Sequence, residues 1–142
     1  MADDLTLRIK NDLAAAQSAT EAASHWLEQR QASDDLRYFA NLVIEEIVTN
    51  CIKYGYNDTK EHFIDISLLF SGGALVITIL DDGQPFDPMA APDPDLNINP
   101  DDRPIGGLGI YLLRQMSDRM EYRREGDKNR LTISKTVRPS NA

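Results

Sequence analysis

Apolar positions change their period several times along the chain, and each change marks an element. Leu5, Leu7 and Ile9 alternate with Thr6, Arg8 and Lys10, the two-residue period of a half-buried strand. From about residue 12 to 31 the spacing predicts a helix with a thin apolar stripe of Leu13, Ala16, Thr20, Ala23 and Leu27, joined by Trp26. Asn11 or Asp12 can cap its start. Ser33, Asp34 and Asp35 then break and recap the chain before a longer helix at 36–54, with Leu36, Phe39, Ala40, Val43, Ile47, Cys51 and Tyr54 as its stripe and Gly55 placed to stop it. Two strand-like runs follow at 62–70 and 74–80, separated by Ser71-Gly72-Gly73, whose glycines suit a tight hairpin. The second run is almost wholly apolar, as a central strand would be, and it stops at Asp81-Asp82-Gly83.

Residues 84–104 carry Pro85, Pro88, Pro92, Pro94, Pro100 and Pro104, which disfavour regular structure. A loop of that length inside a small domain is usually functional or mobile. Gly106-Gly107-Leu108-Gly109 leads into Ile110, Leu112, Leu113, Met116 and Met120, spaced as a helix. Two last strands are expected at 120–124 and 130–137 around the turn 125–129. His62 opens a strand and reads as structural. The element order predicts an α+β fold: a two-layer sandwich whose sheet is mixed but mostly antiparallel, with the helices on one face.

Composition limits the function classes. With 142 residues, 42% hydrophobic and 27% charged, residues 1–142 suit one compact domain. A formal charge of −8 opposes a nucleic-acid partner. Cys51 is the single cysteine, so no intrachain disulfide or cysteine-based zinc site can form, and its place in the helical stripe reads as core. The opening Met1-Ala2-Asp3-Asp4 lacks a secretory pattern, and no apolar run reaches the roughly 18 residues of a membrane span. The expectation is a cytoplasmic protein.

Three motifs carry candidate chemistry. Glu46 and Asn50 stand four apart, on one face of the long helix at the border of its stripe. A carboxylate and a carboxamide so placed can hold a hydrated magnesium ion and activate a hydroxyl. A solvated polar edge is the plain alternative for Glu46, but Asn is a poor mid-helix residue. Asp81 ends a buried strand, where a carboxylate needs hydrogen-bond partners; it can accept from an exocyclic amine such as that of adenine, while Gly83 lets a flat ring approach the backbone. Asp-Asp-Gly also serves as ordinary turn chemistry. Gly107-Leu108-Gly109 opens a helix whose free N–H groups suit phosphate oxygens, or it is simply a hinge. It is neither a Walker loop nor a Rossmann opening.

Taken in order, these motifs resemble the Bergerat-fold (GHKL) ATP-binding superfamily, which includes gyrase, histidine kinases and the mismatch-repair MutL proteins. Within it, Glu-Ile-Val-Thr-Asn at 46–50 with Tyr-Gly-Tyr at 54–56, and Gly-Gly-Leu-Gly-Ile-Tyr-Leu-Leu-Arg at 106–114, resemble the anti-sigma factor serine/threonine kinases. The resemblance spans about residues 5–137. It implies that Asn50 coordinates Mg2+ on ATP, Glu46 is the general base, Asp81 reads the adenine amino group and Gly83 lies under the base. Gly107, Leu108 and Gly109 would cradle the phosphates, residues 87–105 would be the ATP lid, and Arg103 would contact phosphate. Tyr54 stands where many relatives have histidine, and Asn129 near where some have threonine, so no role is carried over to either. The implied function is a protein serine/threonine kinase and anti-sigma factor. It would phosphorylate a small STAS-type antagonist in a partner-switching circuit, with a sigma factor as alternate partner, no membrane partner, and a homodimer as the assembly by analogy. An ATP-gated binding regulator without kinase activity and a slow ATPase stay open as alternatives.

Overall fold

The computed structural model describes residues 4–90, 97 and 107–137. Strand β1 (Asp4–Lys10) leads into helix α1 (Leu13–Gln29), then α2 (Asp34–Val43), a π-helical segment (Ile44–Val48) and α3 (Thr49–Tyr54). Next come β2 (Phe63–Ser71), β3 (Ala74–Asp81), a short 3-10 turn (Pro88–Ala90), α4 (Gly107–Met116), β4 (Arg119–Glu125) and β5 (Lys128–Thr136). The sheet order is β1-β2-β3-β5-β4. All four pairings are antiparallel, so the mixture allowed for in the sequence reading does not appear among the described residues.

Local chemistry explains the boundaries. The Asp12 carboxylate accepts from the Ala15 amide at 2.7 Å and the Ser33 hydroxyl from that of Leu36 at 3.2 Å, satisfying free donors at the starts of α1 and α2. Gly72 and Gly73, at φ of +58° and +78°, form the two-residue turn joining β2 to β3, in which Ser71 pairs Ala74. Positive φ at both central positions matches the right-handed twist of the flanking strands. The β4–β5 turn is tighter than expected, because Glu125 pairs Lys128 and only Gly126 and Asp127 lie between them. Asn129 therefore belongs to a strand.

The core lies between the helices and one face of the sheet. Ile64, Ile66 and Leu68 of β2, Leu75, Ile77 and Ile79 of β3, and Leu131 and Ile133 of β5 alternate with half-exposed neighbours and meet Phe39, Val43, Ile44 and Val48. Two expected core residues are not in it: Leu13 and Tyr54 are 55% exposed. The stripe of α1 runs instead through Ala16, Ala19, Ala23, Trp26 and Leu27, where small residues let the helix lie close to its neighbours. Tyr54 is on the last turn before Gly55, at the open edge of the cleft described below.

Candidate functional site

Ile47, Asn50, Cys51 and Tyr54 form one wall of an apolar cleft, Ile79, Asp81, Tyr122, Asn129 and Leu131 its floor, and Gln84, Phe86 and Pro88 its opposite side. Strand β3 delivers Asp81 to this floor as its last, buried residue. One carboxylate oxygen, Oδ1, accepts from the Gly83 amide at 2.8 Å and from Asn129 Nδ2 at 3.0 Å. The other, Oδ2, accepts from Cys51 Sγ at 3.2 Å. Burial and the neighbouring Asp81 carboxylate push the Cys51 thiol well above its ordinary value, so it acts as a neutral donor. Cys51, read from its spacing as core, thus packs on the core and also lines the cleft.

Asn129 is the second buried polar residue of the floor, and it faces Asp81 across the β3–β5 ladder. Its Nδ2 also donates to the Gln84 carbonyl at 2.8 Å, while its Oδ1 accepts from Tyr122 Oη at 2.5 Å and Arg124 Nη1 at 3.2 Å. Arg124 Nη1 donates again to the Gly83 carbonyl at 2.7 Å. Sequence reasoning gave no role to Asn129, Tyr122 or Arg124. The available signal was Asn129 standing at an alternating, otherwise apolar strand position, two before Leu131 and four before Ile133.

The same helical run carries Glu46 and Asn50, with Glu46 inside the π segment and Asn50, on the cleft wall, in the first turn of α3. A single π turn within an α-helix redirects the side chains after it and frequently accompanies function. The Thr49 hydroxyl donates to the Glu45 carbonyl and, at 3.4 Å, to that of Glu46, engaging backbone acceptors that the wider turn loosens. The Glu46 carboxyl is pushed above its ordinary value, first by burial and then by Glu45, against the pull of Lys53. A carboxylate held this way is a stronger proton acceptor than an exposed one.

The start of α4 closes the arrangement. A Cβ placed on Gly109 would overlap the Glu46 carboxyl group, so the glycine leaves room for that carboxyl in its present position. Gly107 opens the helix and Leu108 is 42% exposed. Gly83 has a similar reason of its own: a Cβ would come within 2.7 Å of the Gly55 carbonyl, which also accepts from the Gln84 amide at 2.7 Å. Backbone packing against the end of α3 therefore requires that glycine, independently of any ring above it. Arg103 lies outside the described residues, as does most of the expected lid at 87–105, of which residues 87–90 and 97 are described. Five of the expected residues are thus assembled from three separate stretches: Glu46 with Gly109 at the start of α4, and Asn50 with Asp81 and the Gly83 turn around the cleft.

Among the described residues no group of three or more His, Cys, Asp and Glu side chains could hold a metal by itself. The donor set nevertheless fits magnesium, which commonly takes one or two protein oxygens and completes its shell with phosphate and water. Among the same residues no helix is long and apolar enough to cross a membrane.

A model of the histidine kinase-like ATPase domain matches residues 9–135, nearly the whole chain. The chain belongs to the histidine kinase-like ATPase family. One relative, the serine/threonine-protein kinase BtrW of Bordetella bronchiseptica, is 28% identical over 128 residues, covering 87% of this chain and 89% of that protein. The crystal structure of the RsbU and RsbW domains of Rv1364c from Mycobacterium tuberculosis aligns with a TM-score of 0.67 over 96% of this chain and 33% of that one. At 15% identity this neighbour shows a shared fold, the expected two-layer sandwich. The resemblance to the GHKL superfamily and its anti-sigma kinases is borne out, and membership in a histidine kinase-like ATPase family implies the use of ATP.

Proposed function

We propose that this protein is an ATP-dependent protein serine/threonine kinase of the anti-sigma type, acting on a small STAS-type antagonist in a partner-switching circuit. The observation that carries the reading is the Glu46 carboxyl packed against Gly109 at the mouth of α4, beside a cleft with Asn50 on its wall and Asp81 on its floor. In this reading Asp81 accepts a hydrogen bond from the adenine amino group, with Oδ1 held by Gly83 and Asn129 and Oδ2 as the reading atom. The N–H groups at Gly107, Leu108 and Gly109 meet phosphate oxygens at the positive end of α4, with Arg103 as a further phosphate contact.

Asn50 would hold the magnesium ion, which when bound neutralises charge on the phosphates. Glu46 takes the proton of an incoming serine or threonine hydroxyl as its oxygen bonds to the γ-phosphorus, and ADP leaves. Phosphoryl transfer depends mostly on positioning and charge neutralisation, so these groups make a sufficient set. The relative's designation as a serine/threonine-protein kinase supports the choice of acceptor. The acidic charge of −8 suits a basic face on an alternate partner, for which a sigma factor is the candidate. A single domain over 1–142, a cytoplasmic location and a homodimer belong to the same proposal.

The test is transfer from γ-labelled ATP by wild-type protein and Glu46→Gln, each mixed with dialysed extract of the source cells. A small protein labelled on serine or threonine by wild type only is the expected result. Free labelled phosphate with no labelled protein would make the protein an ATPase. Nucleotide binding without turnover would make it an ATP-gated binding switch.

A further inference from the structure

The connection between α3 and β2 packs onto the turn that follows β3. The Gly55 carbonyl accepts from the Gln84 amide at 2.7 Å, and Asn57 Oδ1 accepts from Gln84 Nε2 at 2.5 Å. One further side chain, His62, ties this connection to Asp82, the residue that follows β3. Its Nε2 lies 2.7 Å from Asp58 Oδ1, and its Nδ1 lies 3.2 Å from both carboxylate oxygens of Asp82, the residue beside Asp81. The ring stacks on Tyr56, with centroids 4.4 Å apart and planes 21° apart. The His62 backbone is itself held: its amide donates to Asn11 Oδ1 at 3.1 Å and its carbonyl accepts from the Asn11 amide at 3.0 Å.

An imidazole can donate from both nitrogens only when doubly protonated; neutral, it turns a lone pair toward one of the two carboxylates. We propose that His62 is a positioning residue of the nucleotide cleft: as an imidazolium it staples the α3–β2 connection to the residue beside Asp81, and nucleotide affinity falls when it loses its proton. The proposal rests on the nucleotide reading above and adds a group that touches neither base nor phosphate.

The electrostatic surroundings agree. Asp58 and then Asp82 raise His62 above its ordinary value, and His62 in turn holds Asp58 below the usual carboxylate range. Lys60 adjoins Asp58; Glu61 pairs with Lys10 at 3.4 Å, Arg8 of β1 with Asp65 at 2.7 Å, and Lys128 stands at the start of β5. Tyr56, its hydroxyl buried with no hydrogen-bond partner among the described residues, is kept neutral by burial and by Asp81, Cys51 and Asp82. Among these side chains the imidazole is the one that ordinarily changes charge near neutrality. Because its value is raised, the staple is complete below the ordinary histidine range and persists somewhat above it. It is lost as pH climbs through the raised value.

The experiment is calorimetric binding of ADP with magnesium between about pH 6 and about pH 9, alongside NMR titration of the His62 ring. Wild type, His62→Gln and Asp58→Asn are compared, and the nucleotide's own titration, common to all three, divides out. Wild-type affinity is expected to fall by about three- to tenfold across the range, in step with the ring titration. Asp58→Asn should move both midpoints to lower pH together, and His62→Gln should bind more weakly with no corresponding step. A His62→Gln profile that follows wild type, or an Asp58→Asn shift in the ring alone, would overturn the proposal. Wild-type binding with a flat profile would overturn the role of His62 only, whereas no binding at any pH would overturn the nucleotide reading as well.

Discussion

Glu46 is held by burial and by Glu45 in a state that favours its protonated form, and two consequences follow. The acid limb of phosphotransfer should lie above the ordinary carboxylate range, because the base works only when deprotonated and the rate falls as pH drops through the raised value. Glu46→Gln should remove about 100-fold or more of the transfer rate and leave ADP affinity within about twofold. A carboxyl with a raised folded value contributes stability at low pH that is lost as pH rises through that value. The same variant should therefore melt no lower than wild type near pH 8, which differential scanning calorimetry checks. Gly109→Ala tests the contact from the other side: its methyl group would displace the carboxyl, and a displacement of about 1 Å can cost about 100-fold in rate. Intact far-UV circular dichroism with transfer lost is the expected pair of results. Asn129→Ala would strip a donor from Asp81 Oδ1 and leave the Gln84 carbonyl and Tyr122 hydroxyl without their partner. A loss of about 2–3 kcal/mol in urea unfolding is expected, together with weakened ADP binding.

Among the elements, the helical run from α2 to α3 matters most to the site. The four-residue spacing of Glu46 and Asn50 was readable as one helix face, but not the π turn between α2 and α3, because backbone geometry depends on what the helix packs against. Asn50 borders the cleft because the run places Ile47 inward and Tyr54 at its edge. The β2–β3 hairpin provides a contrast far from the chemistry. Gly73 sits at φ +78° with nothing near its absent Cβ, so the cost of Gly73→Ala is backbone strain alone. About 1–2 kcal/mol of stability should be lost with ADP affinity unchanged, because the turn lies at the opposite end of β3 from Asp81.

For the whole molecule, the cleft is an assembly of pieces distant in sequence, brought together by the end of β3, the wall of α3 and strand β5, with the start of α4 set against Glu46 beside it. Amide exchange with ADP bound should slow together at the Gly55–Gln84 contact, around Asp81 and at the start of α4, while β1 exchanges as before; protection confined to one of these stretches would contradict a shared site. Sequence alone determined the elements and the fold class, because period-two and period-3.6 patterns follow directly from which faces must leave water. It also picked out Glu46, Asn50, Asp81 and the glycines, since each breaks the pattern of its own element. What it could not determine were relations between elements. Asn129 became a partner of Asp81 only through the β3–β5 register, Cys51 came to line the cleft only through helix packing, and Gly83 gained its second reason only through the carbonyl of Gly55. His62 acquired two carboxylates from positions 58 and 82 in the same way. Local spacing fixes which side of an element a residue occupies, but what stands opposite it depends on the distances and orientations set when the elements pack.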